Sequence, residues 1–166
     1  MRFFLRLFTV GALALGLAVG AAAWSATAQA AGSSSSSKSS SGDRAAKRYA
    51  KAVKEIKKGD FDDAIDLLRK VVNKQPRNAD AHNLLGFSYR KLGKFDPARK
   101  HYARALKLDP NHKGALEYLG ELNLQTGDLT GAETLLARLA AACPGGCEER
   151  QDLTAQIAAF KKKAGS

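Results

Sequence analysis

The sequence predicts an all-α protein: a solenoid of three helical hairpins followed by a capping helix. Three observations carry this. Apolar residues step by three or four, which is the mark of a helix with one buried face. The same pattern returns about 34 residues upstream and downstream, the period of a two-helix repeat. Each unit is broken by a glycine and closed by a proline at matching places. A hairpin of this size cannot bury its apolar face alone, and about three stacked units are the usual minimum.

The middle unit, Ala79 to Pro110, is the clearest. Leu84, Leu85, Tyr89 and Leu92 line one helix; Phe95, Ala98, Tyr102, Ala105 and Leu106 line the next. Gly93 lies between them and suits the left-handed conformation that ends a helix. Gly86, Ala98 and Ala105 are small where the two helices would touch. Downstream the pattern becomes Leu119-Gly120, Gly127, Ala132, Leu136 and Pro144. Upstream it becomes Ala52, Gly59, Phe61, Ala64, Leu68 and Pro76.

At these residues the sequence resembles the tetratricopeptide repeat (TPR) family, roughly from Ala45 to Pro144. It departs at His82, where the family usually has tryptophan. The resemblance implies a right-handed α-solenoid whose concave groove, lined by the first helix of each pair, binds peptide segments. Carried over by position, Asn83, Phe87 and Arg90 from the second repeat would line it. Glu117, Glu121 and Leu124 would come from the third, and Ala50, Lys54 and Lys57 from the first. Phe87 is a candidate apolar anchor; the alternative is packing against the neighbouring hairpin. The repeat domains that clamp chaperone C-termini carry basic residues and asparagines on these helices. Here the places hold Tyr49, Val53, Leu84, Gly114 and Tyr118, so that clamp is absent.

The first repeat, residues 43–78, reads as slipped. Asp43 is suited to cap its first helix. Strict register would bury Arg48, Lys51 and Glu55, and unpaired buried charges cost several kcal/mol each. The apolar set Tyr49, Ala52, Val53 and Ile56 is displaced by one residue. The expectation is a helix rotated about 100°, with Tyr49, Val53 and Ile56 inward. Lys47, Lys51, Lys54 and Lys58 then form a basic patch toward solvent or groove. The second helix keeps a normal face in Phe61, Ala64, Leu67, Leu68 and Val71.

The third repeat, residues 113–146, ends in Cys143-Pro144-Gly145-Gly146-Cys147. In an exported chain, two cysteines across such a turn read as a structural disulfide. A catalytic redox pair usually has two residues between its cysteines and a stabilised thiolate. Here the spacer is longer, and Glu148 and Glu149 oppose a thiolate. A metal site would need two further ligands. Residues 147–163 read as the capping helix, with Leu153, Ile157 and Phe160 on one face and Lys161, Lys162 and Lys163 at the end that favours cations. Some small exported bacterial repeat proteins are similar, with a CPxGC segment and acidic residues after the last hairpin.

At the other end, Arg2 and Arg6 precede an apolar stretch from Leu7 to Ala23 and small-x-small sites at Ala26 to Ala30. This is the pattern of a signal peptide over residues 1–30. It implies export, to the periplasm; the alternative is an uncleaved helix anchored in the inner membrane. Residues 31–42 carry eight serines and no large apolar residue, and read as a disordered tether.

The charge is uneven. The whole chain has 27 basic and 16 acidic residues, a formal net charge of +11. The first two repeats carry the basic excess, while the third has two basic residues against four acidic ones. Lysines at one end and glutamates at the other would orient a bound chain. No catalytic constellation appears. His82, His101 and His112 are scattered, and Gly145-Gly146 lacks the Lys-Ser/Thr of a phosphate loop. The expectation is therefore a non-enzymatic scaffold without cofactor or metal, binding a protein or peptide segment in envelope assembly or maintenance. The competing class is a basic module for anionic lipid, glycan or nucleic acid, with no specific nucleic acid expected. A thiol-redox role ranks below both.

Overall fold

The computed structural model describes residues 41–165. The predicted signal peptide and nearly all of the serine tract lie outside these residues. Within them the chain forms α1 (Ser41–Lys58), α2 (Phe61–Lys74), α3 (Ala79–Lys91), α4 (Phe95–Leu108), α5 (Lys113–Gln125), α6 (Leu129–Ala142) and α7 (Glu148–Ala164). None of these is long and apolar enough to cross a membrane. The helices pack as the hairpins α1–α2, α3–α4 and α5–α6, each stacked on the next, with α7 against α5 and α6.

Local chemistry sets the boundaries. Gly59, Gly93 and Gly127 stand at the three hairpin tips with φ of 90°, 71° and 82°, a region that L side chains enter only at a cost. Side chains also cap the helices. Asn78 accepts from the Ala81 amide at 2.9 Å, and Asp128 from the Gly131 amide at 2.8 Å. His112 accepts from the Ala115 amide at 3.2 Å. Each satisfies an amide that has no partner inside its helix.

Small residues let the helices approach. A Cβ built on Gly86 would lie 2.6 Å from the ring of Tyr102, which is fully buried. A core under the first two repeats gathers Ala52, Ile65, Leu68, Val71, Ala81 and Leu85. Ala98, Tyr102 and Leu122 link the second repeat to the third. The last core holds Leu116, Leu124, Ala132, Leu135, Leu139, Leu153 and Ile157. Leu153 and Ile157 thus seat α7 as the predicted cap, with Phe160 partly buried beside them. A polar clasp also recurs between repeats. Arg104 donates to the Pro76 carbonyl at 3.3 Å, and Arg138 donates to the Pro110 carbonyl at 2.9 Å.

Cys143 and Cys147 are joined, with Cα atoms 6.0 Å apart, across the turn between α6 and α7. Gly146, at φ 92°, lets the chain reverse there.

The first helix departs from expectation in two ways. It starts at Ser41, so Asp43 sits within its first turn instead of capping it; a carboxylate there still opposes the helix dipole favourably. Its buried stripe is Ala45, Ala52 and Glu55. Arg48, Tyr49, Val53 and Ile56 are only half-buried. The full rotation therefore does not occur, and Glu55 is buried after all. Two physical reasons account for this. The alanines allow α1 to lie close against α2. Lys58 reaches the Glu55 carboxylate at 2.7 Å, so the charge is not left alone. Lys51 is exposed, as the slipped reading expected.

Candidate functional site

The first helices of successive pairs, α3 and α5, lie side by side and α7 continues the row. An open cavity of about 470 Å³ runs across their C-terminal halves. α3 contributes Arg90 and Lys91; α5 contributes Glu121, Leu124 and Gln125. α7 contributes Gln156, Ala159, Phe160 and Lys163. Leu124, Ala159 and Phe160 give an apolar patch, and the charged residues frame it.

Behind this cavity sits a cluster centred on Arg90, whose side chain is only 4% exposed. Its guanidinium pairs with Glu121 at 2.5 Å and donates to the Tyr102 hydroxyl at 3.4 Å. It also lies 5.5 Å from the centre of the Phe87 ring and 5.6 Å from that of Tyr118, within cation–π range. Phe87 packs edge-on against Phe61 at 6.1 Å and against Tyr118 at 5.0 Å. One aromatic column thus runs through all three hairpins. Burial pushes the Tyr102 hydroxyl pKa well above its usual value, despite the arginine beside it.

Glu117 lies one turn before Glu121. It is buried, and burial followed by the charges of Glu121, Asp152 and Glu149 raises its pKa to about 8. Away from this face, His82 and His101 stack, with their Nδ1 atoms 3.2 Å apart. Tyr89 covers His101 with rings nearly parallel. Burial, then His82 and Arg69, brings the His101 pKa down to about 4. Among the described residues no group of three or more metal-ligating side chains forms.

Sequence profiles of the tetratricopeptide repeat match residues 54–93 and 88–146, together more than half of the chain. The chain belongs to the tetratricopeptide repeat family. This TPR protein is 34% identical over 77 residues to the BBSome complex member BBS4 of Bos taurus, which covers 46% of this chain. It is 33% identical over 86 residues to a CTR9 homolog of Arabidopsis thaliana, covering 51%. The matched segments span only 15% and 8% of those longer relatives.

Solved structures show the same fold. PcrH, in complex with the chaperone-binding region of PopD, is 23% identical, with a TM-score of 0.67 over 75% of this chain and 96% of that one. The Yersinia enterocolitica type III secretion translocator chaperone SycD is 21% identical, with a TM-score of 0.67 over 76% and 90%. The first TPR of Spaghetti (RPAP3), bound to an HSP90 peptide, is 22% identical, with a TM-score of 0.65 over 74% and 94%.

Of the TPR groove residues predicted from the sequence, Arg90, Glu121 and Leu124 reach the cavity. They do so differently than expected, since Arg90 and Leu124 are buried and Arg90 is committed to Glu121. Asn83 and Glu117 are also buried, not laid open on a groove floor. Phe87 takes the packing alternative, between Phe61 and Tyr118. Ala50, Lys54 and Lys57 are exposed on α1 and do not line this cavity. Sequence reasoning missed the contribution of α7. Gln156 and Ala159 hold the same places in α7, counted from its start, as Glu121 and Leu124 hold in α5. That register was the available signal.

Proposed function

We propose that this TPR protein is a non-catalytic scaffold that holds an extended protein segment along the face built by α3, α5 and α7. The supporting observation is the cavity: apolar at Leu124, Ala159 and Phe160, framed by charge, and shared by the alternate helices α3, α5 and α7. Segments of other proteins accompany the solved neighbours, an HSP90 peptide for one and a PopD region for another. By analogy of fold, the ligand here is also a protein segment. Export, and work in envelope assembly or maintenance, belong to the same reading through the N-terminal signal pattern.

The test uses the full chain in its native host. A photo-crosslinking residue at Gln125 or Gln156 should capture a polypeptide that the same probe at exposed Ala103 of α4 does not. A synthetic copy of the captured segment should bind the purified protein, and Ala159→Trp should abolish that binding by filling the cavity. Equal capture from Ala103, or unchanged binding by the Trp variant, sinks the reading.

The second reading rests on α1. Lys47, Lys51 and Lys54 are exposed along one face, while Lys58 is engaged by Glu55. A polyanion held there would dissociate steeply between low and moderate salt, because binding releases counterions. A groove-bound segment would respond weakly. A redox role would require free, fast-reacting thiols, against the bonded pair seen between Cys143 and Cys147.

A further inference from the structure

The charge left over in the cavity between α3, α5 and α7 is positive. Lys91 of α3 and Lys163 of α7 both line it, and both are exposed. The Lys91 ammonium stands 5.4 Å from the centre of the Phe87 ring. Among the described residues neither lysine meets a carboxylate. The other two charges of the lining cancel, because Arg90 is paired with Glu121.

The acidic excess of the third repeat does not offset these lysines. Glu117 is buried and lies outside the cavity lining. Glu121 faces Arg90, Asp128 accepts from the Gly131 amide, and Glu133 pairs with Lys161 at 2.6 Å. All four acidic side chains of that repeat are thus buried or engaged. Lys91 and Lys163 each stand in a last helical turn, where the dipole favours a cation. The dipole does not explain why two such turns open onto one apolar hollow. A second cavity of about 520 Å³ shares Leu124, Gln125, Phe160 and Lys163 with the first. The apolar floor therefore continues past Lys163 toward Gly127.

We propose that this end of the groove receives an acidic, apolar segment of a partner protein. A glutamate or aspartate side chain is met by Lys91 and Lys163, and an apolar neighbour in the segment rests on Leu124, Ala159 and Phe160. The inference rests on the groove reading above and adds the chemistry of its ligand. The apolar floor contributes area removed from water, and the lysines select against basic segments. The carboxylate belongs to a side chain within the segment and not to a chain end. The places of the terminal clamp hold Tyr49, Val53, Leu84, Gly114 and Tyr118, and none of these lines the cavity.

The probe is a fluorescein-labelled hexapeptide alternating glutamate with leucine, amidated at its C-terminus. It is titrated by anisotropy against the purified full chain at constant moderate salt. One comparison peptide has lysine for glutamate, and another has serine for leucine. Each should bind at least about tenfold more weakly than the probe. Lys91→Gln with Lys163→Gln should weaken the probe about tenfold, or about 1.4 kcal/mol, the scale of two ion pairs open to water. Lys91→Glu with Lys163→Glu should turn the preference toward the lysine peptide, a gain that misfolding does not produce. Lys47→Gln with Lys51→Gln removes the same charge from exposed parts of α1 and should bind as wild type. A free C-terminus in place of the amide should leave affinity unchanged. Equal binding of either comparison peptide, an equal loss from the α1 variant, unchanged binding by the Lys91 and Lys163 variants, or a tenfold gain from the free C-terminus overturns the proposal. If the probe fails while Ala159→Trp still abolishes binding of the captured segment, this inference alone is lost. If the Trp variant also binds that segment normally, the groove reading falls with it.

Discussion

Arg90 joins three helices through one guanidinium, to Glu121 on α5, Tyr102 on α4 and the Phe87 ring on its own helix. Removing one partner of a buried pair leaves a charge without compensation, at about 3–5 kcal/mol. Glu121 is partly open to water, with its side chain 19% exposed, so Arg90→Ala should fall near about 3 kcal/mol. The double variant Arg90→Ala with Glu121→Ala should recover part of that loss in urea unfolding, since the two residues act as a pair. Gly86→Ala tests a different force. Its methyl would press on the sealed ring of Tyr102, and overpacking of this kind costs about 1–3 kcal/mol. Gly145→Ala, with nothing within 4 Å and an ordinary φ, is the control and should be near neutral.

At the level of the helix, α7 depends on Leu153. That side chain is fully buried and meets Gly120 so closely that a Cβ there would lie 2.6 Å from it. Leu153→Ala should destabilise by about 2–5 kcal/mol, with the first loss of amide protection confined to α7 in hydrogen exchange. Reduction of Cys143–Cys147 should do less. The closed loop is short, with a sequence separation of 4, so the chain-entropy gain is at most about 2 kcal/mol. A urea melt with and without reductant measures it.

The same scale shows what the residues disclosed and what they withheld. The period, the Gly93 and Gly127 tips and the Gly86–Tyr102 approach follow from side-chain size and backbone freedom, which are local. The register of α1 does not. Alanine is nearly neutral in any hydrophobic pattern, so Ala45 and Ala52 could not announce the buried stripe. Glu55 looked forbidden until Lys58 was seen to reach it. Phe87 was undecidable for a similar reason: whether a ring on a first helix meets ligand or neighbour depends on how far one hairpin turns against the next. Phe61 and Tyr118 settle that only in three dimensions.

For the whole molecule, buried Glu117 and half-buried His101 pull stability in opposite directions with pH. His101 has a folded pKa of about 4, below its ordinary 6.5. The unfolded chain therefore binds more protons between these values, and stability falls as pH drops from about 6.5 to about 4. Glu117 is the reverse case. Its folded pKa of about 8 lies above its ordinary 4.5, so its contribution is whole below about 4.5 and is lost as pH rises toward 8. Melting temperature against pH should thus sag on both sides. Glu117→Gln should lift the alkaline side and leave the acid side unchanged; His101→Gln should flatten the acid side alone.

The arginine clasps give the stack a direction. Arg104 grips the loop before its own hairpin at Pro76, and Arg138 does the same at Pro110. Each later unit is thus buttoned onto the one behind it. Stretched between its two ends, such a ladder should give way rung by rung, and a pulling trace should show steps of one hairpin's contour length rather than a single rupture.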